Sequence, residues 1–205
     1  MVGVKYKVHT LRIEDRTTFK SNVDDLYSYT VDCSGSEINI EEGDSAWWIE
    51  GFNAHIRRGP DTVETKEAVT IIRGYAGRDQ TVDIRGGTNL PYINGCSSEQ
   101  IFPPVRPGDP TMQMLHIPPH AKEQAHHIHA TARVVIVLEG SGKSVVGMDG
   151  AEVIDLKPGM VIVLDRMIPH HFETQDEALL VAPIHIWSST PMEQGHPMVY
   201  GTIKT

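Results

Sequence analysis

The sequence QAHHIHATARVVIVLEG, at residues 124–140, decides the fold of this chain. Its second half, from Thr131 to Leu138, is rich in β-branched residues, which favour β-strands. Alternate residues of an extended chain point to the same face, so the side chains of His127 and His129 should face the same way. Neutral imidazole binds transition metals near pH 7 without a large pKa shift. The stretch therefore predicts a strand preceded by two metal ligands.

A third imidazole is expected from the sequence IPHHF at residues 168–172. It follows a short apolar run, which a return strand could bring beside the first stretch. Adjacent residues of a strand face opposite sides, so only one of His170 and His171 should bind a metal. Spacing favours His170, whereas a kink at Pro169 would select His171.

Composition narrows the class of protein. The 205 residues include 18 Lys and Arg against 27 Asp and Glu, a net charge of −9, which repels nucleic acid and anionic membranes. Cys33 and Cys96 lack CxxC spacing, and the first residues resemble no signal peptide. No apolar run approaches the roughly 20 residues of a membrane helix. We expect a soluble, cytoplasmic protein that binds neither nucleic acid nor membranes.

The remaining pattern is that of short strands and turns. Five β-rich runs, separated by glycine-containing turn sequences, lie at residues 134–138, 144–148, 153–156, 160–164 and 178–187. Many short strands at close spacing predict a sandwich or barrel. The best helix signal is weak and covers residues 18–26, enough for one or two turns.

A faint internal repeat shapes the domain prediction. GSEINIEEG at 35–43 resembles GAEVIDLKPG at 150–159, and ETKEAV at 64–69 resembles ETQDEAL at 173–179. In this register His55 falls opposite His171, and nothing before residue 35 resembles the paired histidines. We therefore expect a degenerate N-terminal β region at 1–95, a metal-binding barrel at 96–190 and a tail at 191–205. Chance similarity between two hairpins is the alternative.

The histidine stretches resemble the motifs of the cupin family, G(X)5HXH(X)3,4E(X)6G and G(X)5PXG(X)2H(X)3N. The spacing from His127 and His129 to Gly140 follows the first motif, and Gly159 with His170 follows the second. The resemblance covers roughly residues 112–187 and implies an all-β fold: a double-stranded β-helix, or jelly-roll-like, barrel with a metal inside its wide end. The N-terminal region would be a degenerate half-barrel extension.

The chain departs from these motifs at five positions: Ala121 replaces the first glycine, Arg133 the glutamate, Asp165 and Met167 the proline and glycine of the second motif, and Thr174 its asparagine. Arg133 shares the strand parity of His129, so its guanidinium should enter the same cavity. It cannot ligate a metal, but it suits a carboxylate, enolate or phosphate. Alternatively, Arg133 faces outward and pairs with Glu123, Glu139 or Asp165.

These residues predict a metal-dependent enzyme that acts on a small anionic substrate. His127, His129 and His170 would bind one divalent ion, with Arg133 and His171 as catalytic residues. Fe(II) is favoured over Ni, Mn, Co or Zn, because three imidazoles leave room on an octahedral ion for substrate and dioxygen. A dioxygenase-like reaction is also what resemblance to three-histidine cupins implies.

Two other functions are compatible with these residues. Besides His171, Glu123 and Tyr92 are candidates for proton transfer, so a metal-assisted isomerase or lyase is an alternative. A non-catalytic cupin that only binds a small molecule is the second alternative. A homodimer is expected by analogy with similar folds, and the fold does not select a reaction.

Overall fold

The computed structural model describes residues 8–21 and 27–186. Its regular structure there consists of eighteen β-strands and three short 3-10 helices, which confirms the all-β prediction. No helix in these ranges is long and apolar enough to cross a membrane. The predicted tail at 191–205 lies outside the described residues. The chain forms two compact units, Leu11–Gly87 and a second made of Met1–Thr10 with Thr88–Thr205.

The first strand, β1, is followed by the strands of the N-terminal unit. Their bounds are β1 Val8–Arg12, β2 Thr18–Lys20, β3 Tyr29–Asp32, β4 Glu37–Ile40, β5 Ser45–Glu50, β6 Asn53–Arg58, β7 Asp61–Glu64, β8 Val69–Ile72 and β9 Gln80–Asp83, with a 3-10 helix at Ile13–Asp15. One sheet has the order β2-β3-β8-β5-β6-β9, and β4 pairs with β7. The helix predicted over 18–26 is wrong at its start, because β2 pairs with β3; residues 22–26 are outside the described ranges.

The second unit carries the remaining strands: β10 Leu90–Pro91, β11 Ser97–Phe102, β12 Thr111–Ile117, β13 Ala132–Gly140, β14 Gly142–Val146, β15 Glu152–Leu156, β16 Met160–Leu164, β17 His170–Glu173 and β18 Leu179–Ile186, with 3-10 helices at Ile93–Gly95 and Met148–Gly150. The large sheet has the order β1-β16-β13-β18-β12-β11-β10, and the small one β15-β14-β17. The five predicted runs correspond to β13, β14, β15, β16 and β18. Because β10 pairs with β11, the units divide at 87/88 rather than at 95/96, and β1 joins the second unit's sheet.

The order of strands in the two sheets contradicts the first half of the predicted internal repeat and agrees with the second half. In the N-terminal unit β8 lies between β3 and β5, and in the second unit β18 lies between β12 and β13. In sheet order β5 therefore corresponds to β13, whereas the repeat of 35–43 with 150–159 predicted that it corresponds to β16. The second half of the register agrees with the topology, since β7 and β8 take the places of β17 and β18. His55 lies on β6, which takes the place of β16, so the predicted correspondence of His55 with His171 is wrong.

The barrel interior of the second unit has an apolar end and a polar end. Inward residues such as Leu115, Val135, Ile162 and Val181 are buried in one hydrophobic cluster. Further along the same inward faces the residues become polar, and three of them line a cavity: Gln113, Arg133 and His185. Alternation along each strand thus builds a packed apolar floor and a cavity lined by both polar and apolar side chains within one barrel.

Gly140 has a backbone conformation and a close backbone contact that only glycine accommodates. Its φ is +75°, and a Cβ there would overlap the carbonyl oxygen of Ala178. Gly140→Ala should therefore lower the free energy of unfolding by at least about 2 kcal/mol, through backbone strain and a clash with rigid backbone. Gly159, with φ +82° and open space around its Cα, is the control: Gly159→Ala should cost only the left-handed strain of about 1–2 kcal/mol. Equal losses in urea denaturation would contradict this assignment.

Candidate metal centre

The loop between β12 and β13 is fixed along β17 by backbone hydrogen bonds. The N–H groups of Glu123 and His127 donate to the carbonyls of Phe172 and His170 at 2.9 and 3.1 Å, and the His170 N–H donates back to His127 O at 2.9 Å. Thr174 holds the start of this segment: its hydroxyl accepts the Ala121 N–H at 3.0 Å. This pairing places His127 directly opposite His170.

Three imidazoles converge at this point. The ligand nitrogens of His127, His129 and His170 lie within 4.8 Å of one another, and Nε2 of His127 is 2.8 Å from Nε2 of His129. The side chains of His127 and His129 point the same way, as strand alternation predicted, although both residues precede strand β13. Of the two candidates in IPHHF, the structure brings His170 to the cluster.

Backbone carbonyls orient two of the three rings. Nδ1 of His127 donates to Ala125 O at 2.8 Å, and Nδ1 of His170 donates to Ile168 O at 2.7 Å. A ring whose Nδ1 carries the proton presents the Nε2 lone pair, and such bonds are typical of metal-binding histidines. The donor set therefore suits a transition metal ion bound through Nε2.

Burial favours the neutral form of the His127 and His170 rings. It lowers the pKa of His127 to about 4, with a further contribution from His129 and a smaller one from the positive charge of Arg133. Burial also holds the pKa of His170 well below its usual value, again aided by its histidine neighbours. Unprotonated imidazole is the form that binds metal, so the site is prepared for a cation at neutral pH.

Arg133 lies in the wall of the same cavity as the three histidines. Its side chain is buried, with 6% of the residue exposed, and Nη1 is 3.4 Å from Thr131 O. The outward orientation considered as the alternative is therefore not adopted. A buried cation thus lies beside three convergent imidazoles, inside a protein of net charge −9.

A second histidine pair lies outside the cavity lining. Nε2 of His126 donates to Gly147 O at 2.6 Å, so its Nδ1 can accept the Nδ1–H of His171 at 2.8 Å. Nε2 of His171 is 3.5 Å from the Glu173 carboxylate. His171 was predicted as a catalytic residue, but the structure separates it from the cavity, since neighbouring residues of β17 face opposite ways.

Five further polar residues line the cavity: Tyr92, Gln113, Glu123, Gln124 and His185. The hydroxyl of Tyr92 donates to Gln124 Oε1 at 3.1 Å. Sequence reasoning considered Tyr92 and Glu123 for proton transfer but placed neither Gln113 nor His185 in the site. No local signal identifies His185 as a cavity residue, because its place follows from its pairing with Arg133 on β13.

The fold and this site together define a small β-barrel with a candidate metal centre in its interior. Residues 113–187 match the family model named Cupin_2, Cupin domain. The chain therefore contains a cupin domain over these residues, as the motifs predicted. A search of curated proteins with this sequence found no match.

Solved structures show the same fold over most of the chain. The cupin 2 conserved barrel domain protein from Leptotrichia buccalis has a TM-score of 0.56 at 16% identity, over 91% of this chain and 99% of that one. The putative glyoxylate induced protein from Pseudomonas aeruginosa has a TM-score of 0.57 at 9% identity, over 83% and 80%. Salicylate 1,2-dioxygenase from Pseudoaminobacter salicylatoxidans, solved with gentisate, has a TM-score of 0.55 at 10% identity, over 90% and 82%. At these identities the likeness concerns the fold.

Single replacements of the three convergent histidines should remove the metal. We expect His127→Ala, His129→Ala and His170→Ala to lose most of it, because each variant leaves two ligands, while circular dichroism shows the barrel still folded. His126→Ala and His171→Ala are the controls and should keep about one metal per chain by elemental analysis. Stoichiometric metal in all three ligand variants would disprove the assignment.

Acid should destabilise the metal-free protein through His127. Its pKa is about 4 in the folded chain against an ordinary 6.5, so between these values the unfolded chain binds a proton that the folded chain does not. Stability is then lost as pH falls from 6.5 towards 4. Glu123 acts in the opposite sense, because its pKa is raised from 4.5 to about 7.

The contribution of His127 to the pH dependence of stability is measured by comparing variants. His127→Gln should have a flatter dependence of unfolding free energy on pH between 6.5 and 4 than the wild type, measured by urea denaturation with chelator present. His120→Gln, at an exposed loop position, should leave the slope unchanged. An unaltered slope in His127→Gln would show that this ring is not held neutral.

Proposed function

We propose that this protein is a metal-dependent enzyme that acts on a small anionic organic molecule, with a dioxygenase-like reaction on Fe(II) as the leading candidate. The observation that carries the proposal is the position of Arg133. A guanidinium lines the same buried chamber as three convergent imidazoles, at the motif position where the family has glutamate.

The exchange of glutamate for arginine changes what the site can bind. A carboxylate there would compensate the charge of a divalent ion and occupy one of its coordination positions. Arg133 cannot ligate a metal, so the protein supplies neutral ligands and an additional positive charge. An anionic substrate compensates both, and the planar guanidinium suits a carboxylate in two-point contact.

A divalent ion held by His127, His129 and His170 would supply Lewis-acid chemistry and, if iron, redox chemistry. The chain's own residues would orient the substrate and exclude water. Arg133 orients the anionic group, and the apolar walls contributed by Leu115, Val135, Leu164, Phe172 and Pro183 exclude water. A chamber of low dielectric strengthens the contact between the guanidinium and the anion.

A metal-assisted isomerase or lyase is the second candidate, and one observation favours it. Glu123 lines the cavity and offers a carboxylate for proton transfer. Oxygen consumption with a panel of small organic acids separates the two reactions, because only a dioxygenase consumes oxygen in proportion to substrate. Purified protein with metal below about a tenth per chain would instead support the non-catalytic binding protein.

Removal of Arg133 should weaken anion binding more than metal binding. A hydrogen bond to a charged partner is worth about 1.5–3 kcal/mol, so Arg133→Leu should raise the Kd of oxalate about ten- to a hundredfold. Arg133→Glu should tighten the metal and repel the anion. Arg57→Leu, on β6 of the N-terminal unit, is the control. Unchanged oxalate affinity in both Arg133 variants, measured by calorimetry, would refute the anion site.

A further inference from the structure

Glu123 has an unusual position for a carboxylate. The residue is 6% exposed and lines the same cavity as Arg133 and the three histidines. Its carboxylate accepts a hydrogen bond from the backbone N–H of Phe172. The other oxygen, Oε2, is buried and makes no hydrogen bond within the described part of the chain. Buried polar atoms in native proteins nearly always have a partner, so one that lacks it calls for an explanation.

Metal ligation does not supply that partner. The group of convergent ligand atoms contains His127, His129 and His170 and excludes the Glu123 carboxylate. Arg133 is near enough for its charge to act on Glu123, but it makes no hydrogen bond to Oε2. An acceptor oxygen therefore stands in a ligand cavity beside a fixed cation, and it requires a donor that enters with the ligand.

We propose that Glu123 is a catalytic residue that accepts the proton of a substrate hydroxyl, and that the site selects organic acids that carry both an anionic group for Arg133 and an ionisable phenolic or enolic hydroxyl for Glu123. This inference rests on the proposed anion site. It narrows the substrate from small anions in general to hydroxy acids with a hydroxyl acidic enough to lose its proton.

The proton balance of this step is simple. The substrate O–H bond breaks, its electron pair remains on the oxygen, and the proton forms a bond to Oε2 of Glu123. The substrate gains one negative charge as Glu123 loses one, so the total charge of the cavity does not change. The resulting oxyanion is a far better ligand for a divalent cation than the hydroxyl it replaces.

The protonation properties of Glu123 agree with this role. Burial raises the pKa of its carboxyl to about 7, although the Phe172 N–H and the charge of Arg133 oppose the shift. A group with a pKa near neutrality can both take up and return a proton at physiological pH.

Glu123→Gln is a sharp test because the backbone fixes its orientation. The Phe172 N–H must still find an acceptor, so the amide oxygen will face it and the NH2 group will face the cavity. The variant thus replaces an acceptor by a donor while keeping the shape. Glu139→Gln makes the same change at an exposed position of β13 and is the matched control.

The experiment measures binding of salicylate, 3-hydroxybenzoate and benzoate to protein loaded with Zn2+ as a redox-inert ion, by calorimetry. The wild type and Glu139→Gln should bind at least one hydroxybenzoate about ten- to a hundredfold more tightly than benzoate, the difference of one charged hydrogen bond. In Glu123→Gln that preference should fall to within about twofold, with metal content and benzoate affinity unchanged.

The outcomes separate the two proposals. A hydroxyl preference that persists in Glu123→Gln, or is absent from the wild type while benzoate binds, overturns the role of Glu123 and leaves the anion site intact. Loss of metal from Glu123→Gln would make Glu123 a metal ligand, which also overturns it. Failure of all three acids to bind the loaded wild type would overturn both this inference and the proposed anion site.

Discussion

The candidate site depends on the backbone pairing of His127 with His170, two residues far apart in sequence. Each donates its N–H to the other's carbonyl, at 3.1 and 2.9 Å. This pairing fixes which faces of the two segments meet. Because neighbouring side chains alternate, it directs His127 and His170 into the barrel and His126 and His171 out of it. A shift of one residue in this register would exchange the two pairs and dismantle the site.

The chamber behind this pairing has an uncommon balance of charge. Three imidazoles, one guanidinium and one carboxylate share a cavity with apolar walls. Removing charged groups from water is costly unless partners compensate them. Oε2 of Glu123 has no hydrogen-bond partner within the described residues. The proposed ligand would bring a hydrogen-bond donor to that oxygen and an anionic group to Arg133. The preorganised charges would then act on the ligand without reorganising.

Much of this arrangement could be predicted from local pattern. Strand alternation placed His127 and His129 on one face. The turn sequences predicted the ends of β14, β15 and β16 to within a few residues. The barrel itself was implied by the resemblance of the histidine stretches to the cupin motifs. These features are local, because each depends on a few neighbouring residues and the period of an extended chain.

The features that escaped prediction depend on contacts between distant segments. Both faces of β12 carry side chains that look suited to a core, so nothing local shows that Gln113 faces the cavity. The place of His185 follows from its pairing with Arg133, which is set by the sheet order. The loop position of Glu123 is fixed by Phe172 on another strand. The first half of the repeat register failed for the same reason, since similar hairpins can occupy different places in a sheet.

The central claim is that His127, His129 and His170 hold one metal ion in the barrel. Anomalous diffraction from crystals of the metal-loaded protein, recorded at the absorption edge of the bound element, tests it most directly. The account predicts one strong peak per chain, about 2.0–2.2 Å from the Nε2 atoms of these three histidines. A peak at His126 and His171, at His55, or at no histidine in stoichiometrically loaded crystals would contradict it.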